Sequence, residues 1–271
     1  MNIKDSYKIL FRNLGGKFSS ELEAAKKYFD VCECITEIPE DSSVIGRYSV
    51  LPFYSEVNKN LYINNSQLIN NIQNHNYIAK FLYYYDIEKY TFKTWFKLED
   101  IPADMRDQKI IVKGETNSKK FLWNEKMLAV NFEHAVKIAN DIRNDSFFEC
   151  QDLIFRQYLP LETFEIGLHG LPFSNEWRIF FLNGHCVSYG FYWTIADKYI
   201  EAKNNYEEDF KHYGLPFAKK VSRLIKVPFF AMDIAKTESG NWIIVEINDG
   251  QMSGLCDIPE ENFYRFLKKF I

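Results

Sequence analysis

The segment PFFAMDIAKTESGNWIIVEIND, residues 228–249, restricts the fold more than any other part of the chain. Two apolar runs flank the turn-forming residues 238–241, and this pattern predicts an antiparallel hairpin. Asp233 lies on the first predicted strand, whereas Glu246 and Asn248 share one face of the second because side chains alternate along a strand. A short turn sets the two strands in register, so we expect the three polar side chains to converge.

These convergent side chains predict a metal site. Two carboxylates and an amide oxygen are hard ligands, which suit Mg²⁺ or Mn²⁺. The alternative is a strand end whose polar groups simply face solvent. Met232, Ile234 and Ile244 flank the polar residues, so the carboxylates adjoin a buried layer, and this favours the metal site.

Composition places the chain among folded globular proteins. Of its 271 residues, 46% are hydrophobic, which excludes an intrinsically disordered chain. The formal net charge is -4, and because proteins that coat nucleic acid usually carry a basic excess, this balance argues against nucleic acid as a partner. No apolar run approaches the length that spans a bilayer, so we expect no membrane partner.

The cysteines indicate the redox environment. They are odd in number and scattered, at Cys32, Cys34, Cys150, Cys186 and Cys256. The stretch MNIKDSYKILFRN lacks the apolar core of a signal peptide, and we therefore expect reduced thiols in a cytoplasmic protein. The CEC pair has no second ligand pair at zinc-finger spacing, so buried strand cysteines are predicted there.

The first hundred residues predict an irregular but folded region. A capped helix is expected over SSELEAAKKYFD, starting at Ser19 or Ser20, and a strand over CECITEI. A helical patch follows around QLINNIQNHNYIAKFLYYYD. Pro102 marks a boundary near residue 105, which divides the chain into residues 1–104 and residues 105–271.

The second part has a more regular pattern. QKIIVKG and DLIFRQYLPLE predict strands, and NFEHAVKIANDIRND predicts an amphipathic helix between them. NEWRIFFLNGHCVSYGFYW predicts a hairpin that turns at Asn183-Gly184. EDFKHYGLPFAKKVSRLIK predicts a helix interrupted near residues 214–216, and PEENFYRFLKKF a closing helix with Pro259 near its first turn. This order of elements predicts an α+β fold and not a repeating βα unit.

These features, taken in order, resemble the ATP-grasp superfamily. The matching features are a lysine at a strand end, a polar loop, a strand that ends in a short hinge, E-x-R on a hairpin, and D followed by E-x-N. The likeness is greatest to the clade named for one arginine and two lysines, and the stretch VIGRYSVLPFY resembles that clade too. The resemblance implies two α+β subdomains, 105–160 and 161–271, that grip ATP, preceded by a smaller N-terminal α/β subdomain.

The resemblance also implies roles for residues around a nucleotide. Lys113 matches the lysine that reaches the phosphates, and Lys119 or Lys120 matches the second lysine. Main-chain groups of the hinge would bind the adenine edge, and Glu162 would hold the ribose hydroxyls. The hinge residues are Gln157, Tyr158 and Leu159.

The resemblance also implies which residues supply the arginine of the clade and the metal ligands. Arg156 or Arg178 would be the arginine of the clade. Glu176 and Arg178 match E-x-R, with Arg178 directed at the transferred phosphate, and the ligands would be those of the predicted metal site. The covering loop GETNSKKF departs from the pattern, because it has a single glycine where many relatives are glycine-rich.

For the substrate, Arg47 would act as a carboxylate clamp, the alternative being an arginine that packs on its own domain. Gln251 and Ser253 would face the acceptor.

The implied function is ATP-dependent ligation of a carboxylate to an amine through an acyl phosphate, with ATP and Mg²⁺ or Mn²⁺ as cofactors. Small molecules or peptides would supply the carboxylate and the amine, and a closing loop over residues 114–120 would exclude water. The alternative is a nucleotide-binding sensor or partner-binding module without ligase chemistry. A complete set of metal ligands favours the ligase.

Overall fold

The computed structural model of the chain describes residues 7–116, 118–144 and 151–271. The N-terminal part contains a parallel four-stranded sheet in the order β2-β1-β3-β4. Its strands are β1 (Tyr7–Phe11), β2 (Asp30–Cys32), β3 (Ser43–Arg47) and β4 (Gln67–Leu68). The helices around it are α1 (Ser19–Lys26), α2 (Tyr54–Ile63) and α3 (Ile72–Ala79).

Local predictions in this part hold only in part. Helix α1 begins at Ser19 as expected, but no side chain caps it. The strand predicted over CECITEI stops at Cys32, and a 3₁₀ turn over Ile35–Glu37 follows. Cys32 is buried, whereas Cys34 is exposed, which corrects the expectation of two buried thiols. The two half-buried cysteines, Cys186 and Cys256, are also free thiols; Cys150 lies outside the described residues.

The second sheet, called the small sheet below, has the order β5-β8-β6-β7. Its strands are β5 (Thr94–Trp95), β6 (Ile110–Gly114), β7 (Leu128–Ala129) and β8 (Leu153–Gln157). The short helices α4 (Tyr84–Ile87) and α5 (Trp123–Lys126) and the longer α6 (Phe132–Arg143) accompany it. Because β5 pairs with β8, the small sheet extends across the boundary predicted near residue 105.

Helix α6 packs on the small sheet through one apolar face. The buried positions are Ala135, Ile138, Ala139 and Ile142, which recur at the spacing of one helical face. Phe132 and Val136 lie beside this face and are only partly buried. Asn131 caps the helix by accepting a hydrogen bond from the backbone N–H of His134.

The third sheet, called the large sheet below, is antiparallel with the order β12-β11-β13-β14. Its strands are β11 (Glu176–Leu182), β12 (His185–Phe191), β13 (Phe229–Lys236) and β14 (Trp242–Asp249), and a separate hairpin contains β9 (Thr163–Ile166) and β10 (Pro172–Ser174). Both hairpins predicted for the large sheet are confirmed. Asn183 and Gly184 have φ values of 49° and 80°, which matches the type I′ turn that an Asn-Gly pair favours.

The remaining helices cover the large sheet. They are α7 (Tyr199–Asp209), α8 (Leu215–Ser222) and α9 (Glu260–Phe270). The interruption predicted near residues 214–216 is a π-helical turn over Phe210–Gly214 that joins α7 to α8. A Cβ atom at Gly214 would lie 2.9 Å from the ring of Trp242, so the close approach requires glycine there. Across the described ranges, each helix is too short or too polar to cross a bilayer.

Candidate active site

A cavity lies between the small sheet and the large sheet. Its lining includes side chains from β6 and β8 on one side and from β11, β13 and β14 on the other. The charged side chains that line it are Lys113, Lys120, Arg156, Glu176, Asp233 and Glu246. Apolar and aromatic groups that include Phe92, Ile111, Met127, Leu171 and Trp193 line the rest. The cavity therefore combines an apolar surface with a dense set of charges.

The hairpin of β13 and β14 supplies the carboxylates. Asp233 lies directly opposite Glu246 in the register of the two strands. Asn248 follows two positions after Glu246, and its Nδ2 donates to Oδ2 of Asp233 over 3.1 Å. The structure thus brings together the three side chains that the sequence singled out, although Asn248 does not itself line the cavity.

Each carboxylate has a cationic partner. Arg178 donates from Nε and Nη2 to the two oxygens of Asp233 over 2.8 and 2.7 Å. Lys113, at the end of β6, donates to Oε1 of Glu246. Burial would raise the pKa of Glu246, but the charge and hydrogen bond of Lys113, with the charges of Arg156 and Arg178, outweigh it and lower that pKa. Glu246 is therefore held ionised.

The two candidate arginines have different surroundings. Arg178 does not line the cavity; it lies behind Asp233, donates to the carbonyl of Gly254 over 3.0 Å, and stacks on the ring of Tyr192. Arg156 lines the cavity, and its guanidinium donates to the carbonyl of Val245 and to the hydroxyl groups of Thr91 and Thr94. Burial lowers the pKa of Arg156. Arg156 thus forms part of the cavity lining, whereas Arg178 holds a carboxylate, Asp233, that lines it.

The hinge at the end of β8 lines the cavity through Gln157, Tyr158 and Leu159. The backbone N–H of Gln157 donates to the carbonyl of Lys93, and that of Tyr158 donates to the carbonyl of Lys109. Two of the N–H groups expected to bind adenine are therefore engaged within the protein.

The two loop lysines are distinguished by position. Lys120 lines the cavity and donates to the hydroxyl of Tyr192 over 3.0 Å. Lys119 does not line it. The structure thus favours Lys120 over Lys119 as the second lysine at the cavity. Residue 117 of the expected covering loop lies outside the described residues.

The two acidic residues near the β9–β10 hairpin differ in their position relative to the cavity. Glu162, expected at the ribose, does not line the cavity; its carboxylate accepts a hydrogen bond from Nδ2 of Asn175 over 2.9 Å. Glu176 lines the cavity, and its Oε2 accepts from Nε1 of Trp193 over 3.0 Å. Burial and the charge of Asp233 raise the pKa of Glu176 to about 8. Glu176 therefore offers the cavity a protonated carboxyl near neutral pH.

Glu176→Gln is expected to increase the free energy of unfolding more at about pH 8.5 than at about pH 5. The folded pKa of Glu176 lies above its ordinary value of 4.5, so stability is lost as the pH rises from that value toward the folded pKa. Glutamine removes this loss. Thermal unfolding at the two pH values measures the effect, with Glu162→Gln as the control. An equal change at both pH values would contradict the expectation.

The residues expected at the substrate are buried. Arg47 is fully enclosed, donates to Oε1 of Glu21 over 3.0 and 2.7 Å, and donates to the carbonyl of Gly250. Its enclosure corrects the expected carboxylate clamp, because no part of the guanidinium is left to contact a substrate. The alternative, an arginine that packs on its own domain, holds only in part, because Glu21 belongs to residues 1–104 whereas Gly250 does not.

Gln251 and Ser253 also point inward and not toward an acceptor. The side chain of Gln251 accepts from the backbone N–H of Gly46 and donates to the hydroxyl of Tyr54. The hydroxyl of Ser253 donates to the carbonyl of Asp249. Both side chains are buried. Gln251 holds the loop after β14 against β3 of the N-terminal sheet, whereas the hydrogen bond of Ser253 joins the loop to Asp249 at the end of β14.

Sequence reasoning missed the aromatic side of the cavity. Tyr192 and Trp193 follow β12 directly, and both line the cavity beside Lys120. Their only signal in the sequence was an aromatic pair at the end of a predicted hairpin, in a chain with 17% aromatic residues. Such a pair has no distinctive pattern, because aromatic residues are common in strands.

The donor set is compatible with a divalent cation. Asp233 and Glu246 offer carboxylate oxygens, and Asn248 offers an amide oxygen beside them. These are the ligand types that Mg²⁺ and Mn²⁺ prefer. Within residues 7–116, 118–144 and 151–271, no cluster of three His, Cys, Asp or Glu side chains is arranged to hold a metal, so the amide is needed to complete this set.

Similar folds occur in several solved structures. D-cycloserine synthetase DcsG is 13% identical, with a TM-score of 0.54 over 97% of this chain and 99% of that chain. The ATP-grasp ligase PsnB, complexed with a phosphomimetic variant of its minimal precursor, Mg and ADP, is 9% identical, with a TM-score of 0.54 over 100% and 99%. A RimK domain protein ATP-grasp from Sphaerobacter thermophilus DSM 20745 is 11% identical, with a TM-score of 0.53 over 98% of both chains. At these identities the likeness establishes the fold alone.

The sequence itself matches a family. A search of curated protein sequences returns no match to the chain. The model of the ATP-grasp domain, family 3 of the clade named for one arginine and two lysines, matches residues 104–267, which is more than half of the 271 residues. The chain therefore belongs to family 3 of this clade of ATP-grasp domains.

Proposed function

We propose that this protein is an ATP-dependent ligase that joins a carboxylate to an amine through an acyl phosphate. The observation that carries the proposal is the meeting of Lys113 from the small sheet with Glu246 from the large sheet, beside the Asp233–Arg178 pair. Lysines that would bind phosphate and carboxylates that would bind a metal ion thus line one cavity. Phosphoryl transfer depends mainly on such positioning and charge stabilisation.

The nucleotide would lie with its adenine against the apolar lining and its phosphates toward the charges. Since the N–H groups of Gln157 and Tyr158 are engaged, the main chain at Leu159 is our candidate for the adenine edge. Lys113 and Lys120 would contact the phosphates, because both line the cavity from the side of the small sheet. Glu176 would contact the ribose or a phosphate instead of Glu162, because it lines the cavity.

Asp233, Glu246 and Asn248 would hold the divalent cation. Bound there, Mg²⁺ or Mn²⁺ would supply positive charge to the phosphate oxygens during transfer. Arg178 would orient Asp233 through its two hydrogen bonds and add a positive charge close to the transferred group.

The proposed reaction has two steps. A carboxylate oxygen of the substrate attacks the terminal phosphorus of ATP, the bond to the bridging oxygen breaks, and ADP leaves. The amine nitrogen then attacks the acyl carbon, phosphate leaves with the bonding electron pair, and the nitrogen loses a proton. The residues around Lys120 would cover the acyl phosphate, which otherwise reacts with water.

The substrate class follows from chemistry and from the related folds. PsnB is described as an ATP-grasp ligase in complex with a precursor peptide, and DcsG is described as a D-cycloserine synthetase. We therefore propose small-molecule or peptide carboxylates and amines as substrates.

Release of ADP is the direct test of the ligase. Purified protein with Mg²⁺ and ATP is expected to release ADP faster when pooled amino acids or peptides are added. A rate that does not depend on the acceptor, together with tight nucleotide binding, would instead support the sensor without ligase chemistry.

Lys113→Met is expected to weaken ATP binding, in the presence of Mg²⁺, by about tenfold to a hundredfold while AMP binding changes little. The loss of one charge-assisted hydrogen bond costs about 1.5–3 kcal/mol, and AMP lacks the distal phosphates. Calorimetric titration of both proteins with both nucleotides measures the difference. Equal losses for ATP and AMP would place the phosphates elsewhere.

A further inference from the structure

We propose that Lys113 blocks the metal ligand Glu246 in the nucleotide-free protein, and that the phosphates of the nucleotide release it. The inference rests on the proposed function, because it concerns how the same site is loaded. Lys113 would then pair with one of two anions: the carboxylate of Glu246 in the nucleotide-free protein, or a phosphate oxygen when the nucleotide is bound.

In the nucleotide-free protein, the carboxylate of Glu246 already has a cationic partner. The ammonium of Lys113 contacts Oε1 of Glu246, and the side chains are only 9% and 23% exposed. Both groups line the cavity. A cation that enters next to Glu246 must therefore compete with an ammonium that is already in place.

Separating Lys113 from Glu246 carries a free-energy cost. A charged group that leaves its partner in a partly buried site must find another partner, or it bears an uncompensated desolvation penalty. A metal ion alone would take Glu246 and leave Lys113 unpaired. A nucleotide alone would take Lys113 and leave Glu246 unpaired. The metal ion alone and the nucleotide alone thus each bind at the cost of leaving one buried charge unpaired.

Joint binding of the nucleotide and the metal ion removes both desolvation penalties. The phosphates accept Lys113 while the metal ion accepts Glu246, so each buried charge exchanges one partner for another. Binding of either ligand then favours the other by the same factor, which is expected to be about tenfold to a hundredfold.

Lys113 is better suited to this exchange than Arg178. Its ammonium is a single charge on a flexible stem, and its hydrogen bond to Glu246 joins β6 to β14 across the cavity. Arg178 binds Asp233 through two hydrogen bonds and the carbonyl of Gly254 through a third. The Asp233 pair is thus the fixed part of the site, and the Glu246 pair is the part that exchanges.

The test measures Mn²⁺ binding without nucleotide, from the electron paramagnetic resonance signal of the free ion. Lys113→Met is expected to bind Mn²⁺ about tenfold more tightly than the unaltered protein, because Glu246 is free. With a non-hydrolysable ATP analogue present, the same variant is expected to bind Mn²⁺ more weakly than the unaltered protein. The tighter Mn²⁺ binding without nucleotide should disappear in the double variant Lys113→Met/Glu246→Gln.

Lys120→Met is the matched control. It removes an equal charge from the same cavity, but Lys120 donates to the hydroxyl of Tyr192 and not to a carboxylate. Its Mn²⁺ affinity without nucleotide should stay within about twofold of the unaltered protein. An equal gain in Mn²⁺ affinity in Lys120→Met would overturn the proposal, because the loss of any positive charge in the cavity would then explain it. No gain in Mn²⁺ affinity in Lys113→Met would overturn it as well.

These titrations contain no acceptor and no turnover. Failure of the ligase proposal would appear as ADP release without acceptor dependence, even where Lys113→Met tightens Mn²⁺ binding. Failure of the exchange proposal would appear in the Mn²⁺ titrations, even where the ligase assay succeeds.

Discussion

Asp233→Asn is expected to lower the free energy of unfolding by about 3–5 kcal/mol, because it leaves a buried guanidinium without its counter-ion. Asp233 is 2% exposed and accepts two hydrogen bonds from Arg178, whose side chain is 11% exposed. Asparagine can accept only one of them and carries no charge. Denaturant unfolding, followed by circular dichroism, measures the loss through the transition midpoint.

The control for this variant is Asp30→Asn. Asp30 forms an ion pair with Lys8, but its side chain is 80% exposed, so its removal should cost no more than about 1 kcal/mol. The double variant Arg178→Met/Asp233→Asn should recover part of the lost stability, because it removes the unpaired charge. If Asp233→Asn and Asp30→Asn lower the free energy of unfolding equally, the pair of Arg178 and Asp233 is not the buried contact that we describe.

Glu246→Gln is expected to reduce acceptor-dependent ADP release by at least about a hundredfold while the fold survives. The side chains are nearly the same shape, but the amide lacks the charge that a hard cation requires. Near-normal turnover with a folded variant would remove Glu246 from the metal site.

The change in the free energy of unfolding caused by Glu246→Gln should also depend on pH, but in the direction opposite to the change caused by Glu176→Gln. The pKa of Glu246 is lowered, so its ion pair contributes stability above the ordinary value of 4.5, and this contribution is lost as the pH falls through the lowered pKa. The gap in stability between the unaltered protein and Glu246→Gln should therefore narrow in acid. A gap of constant size would contradict the assignment of the pair with Lys113.

The sequence predicted well what depends on neighbouring residues. The hairpin of β13 and β14 and the turn at Asn183-Gly184 are local features, because alternation and turn geometry are decided within a few residues. The convergence of Asp233 and Glu246 followed from the same reasoning, since a short turn leaves few registers. These local features, with the order of the charged residues, identified the family.

Long-range contacts could not be predicted in this way. Arg47 and Arg178 both lie on strands, yet Arg47 is enclosed by Glu21, Gly250 and Phe263, which are distant in sequence. Nothing in the local pattern around Arg47 indicates that partner set.

The loops set a further limit. Lys119 and Lys120 are adjacent in a polar stretch without regular alternation, so the sequence could not tell which one faces the cavity. Glu162 and Glu176 were both expected near the nucleotide, but only Glu176 lines the cavity. That difference depends on how the hairpin of β9 and β10 folds against the large sheet, which is a tertiary property.

The short strand β5 limits which segment of this protein can be transferred to another gene by recombination. It lies before residue 104, where the family match begins, yet it covers the edge of β8. Thr91 and Thr94 from the same region hold Arg156. Recombination that moved residues 104–267 into another gene would transfer the reactive charges, but it would expose an unpaired strand edge and leave a buried arginine without these partners. The segment that evolution can exchange is therefore larger than the segment by which the family is recognised.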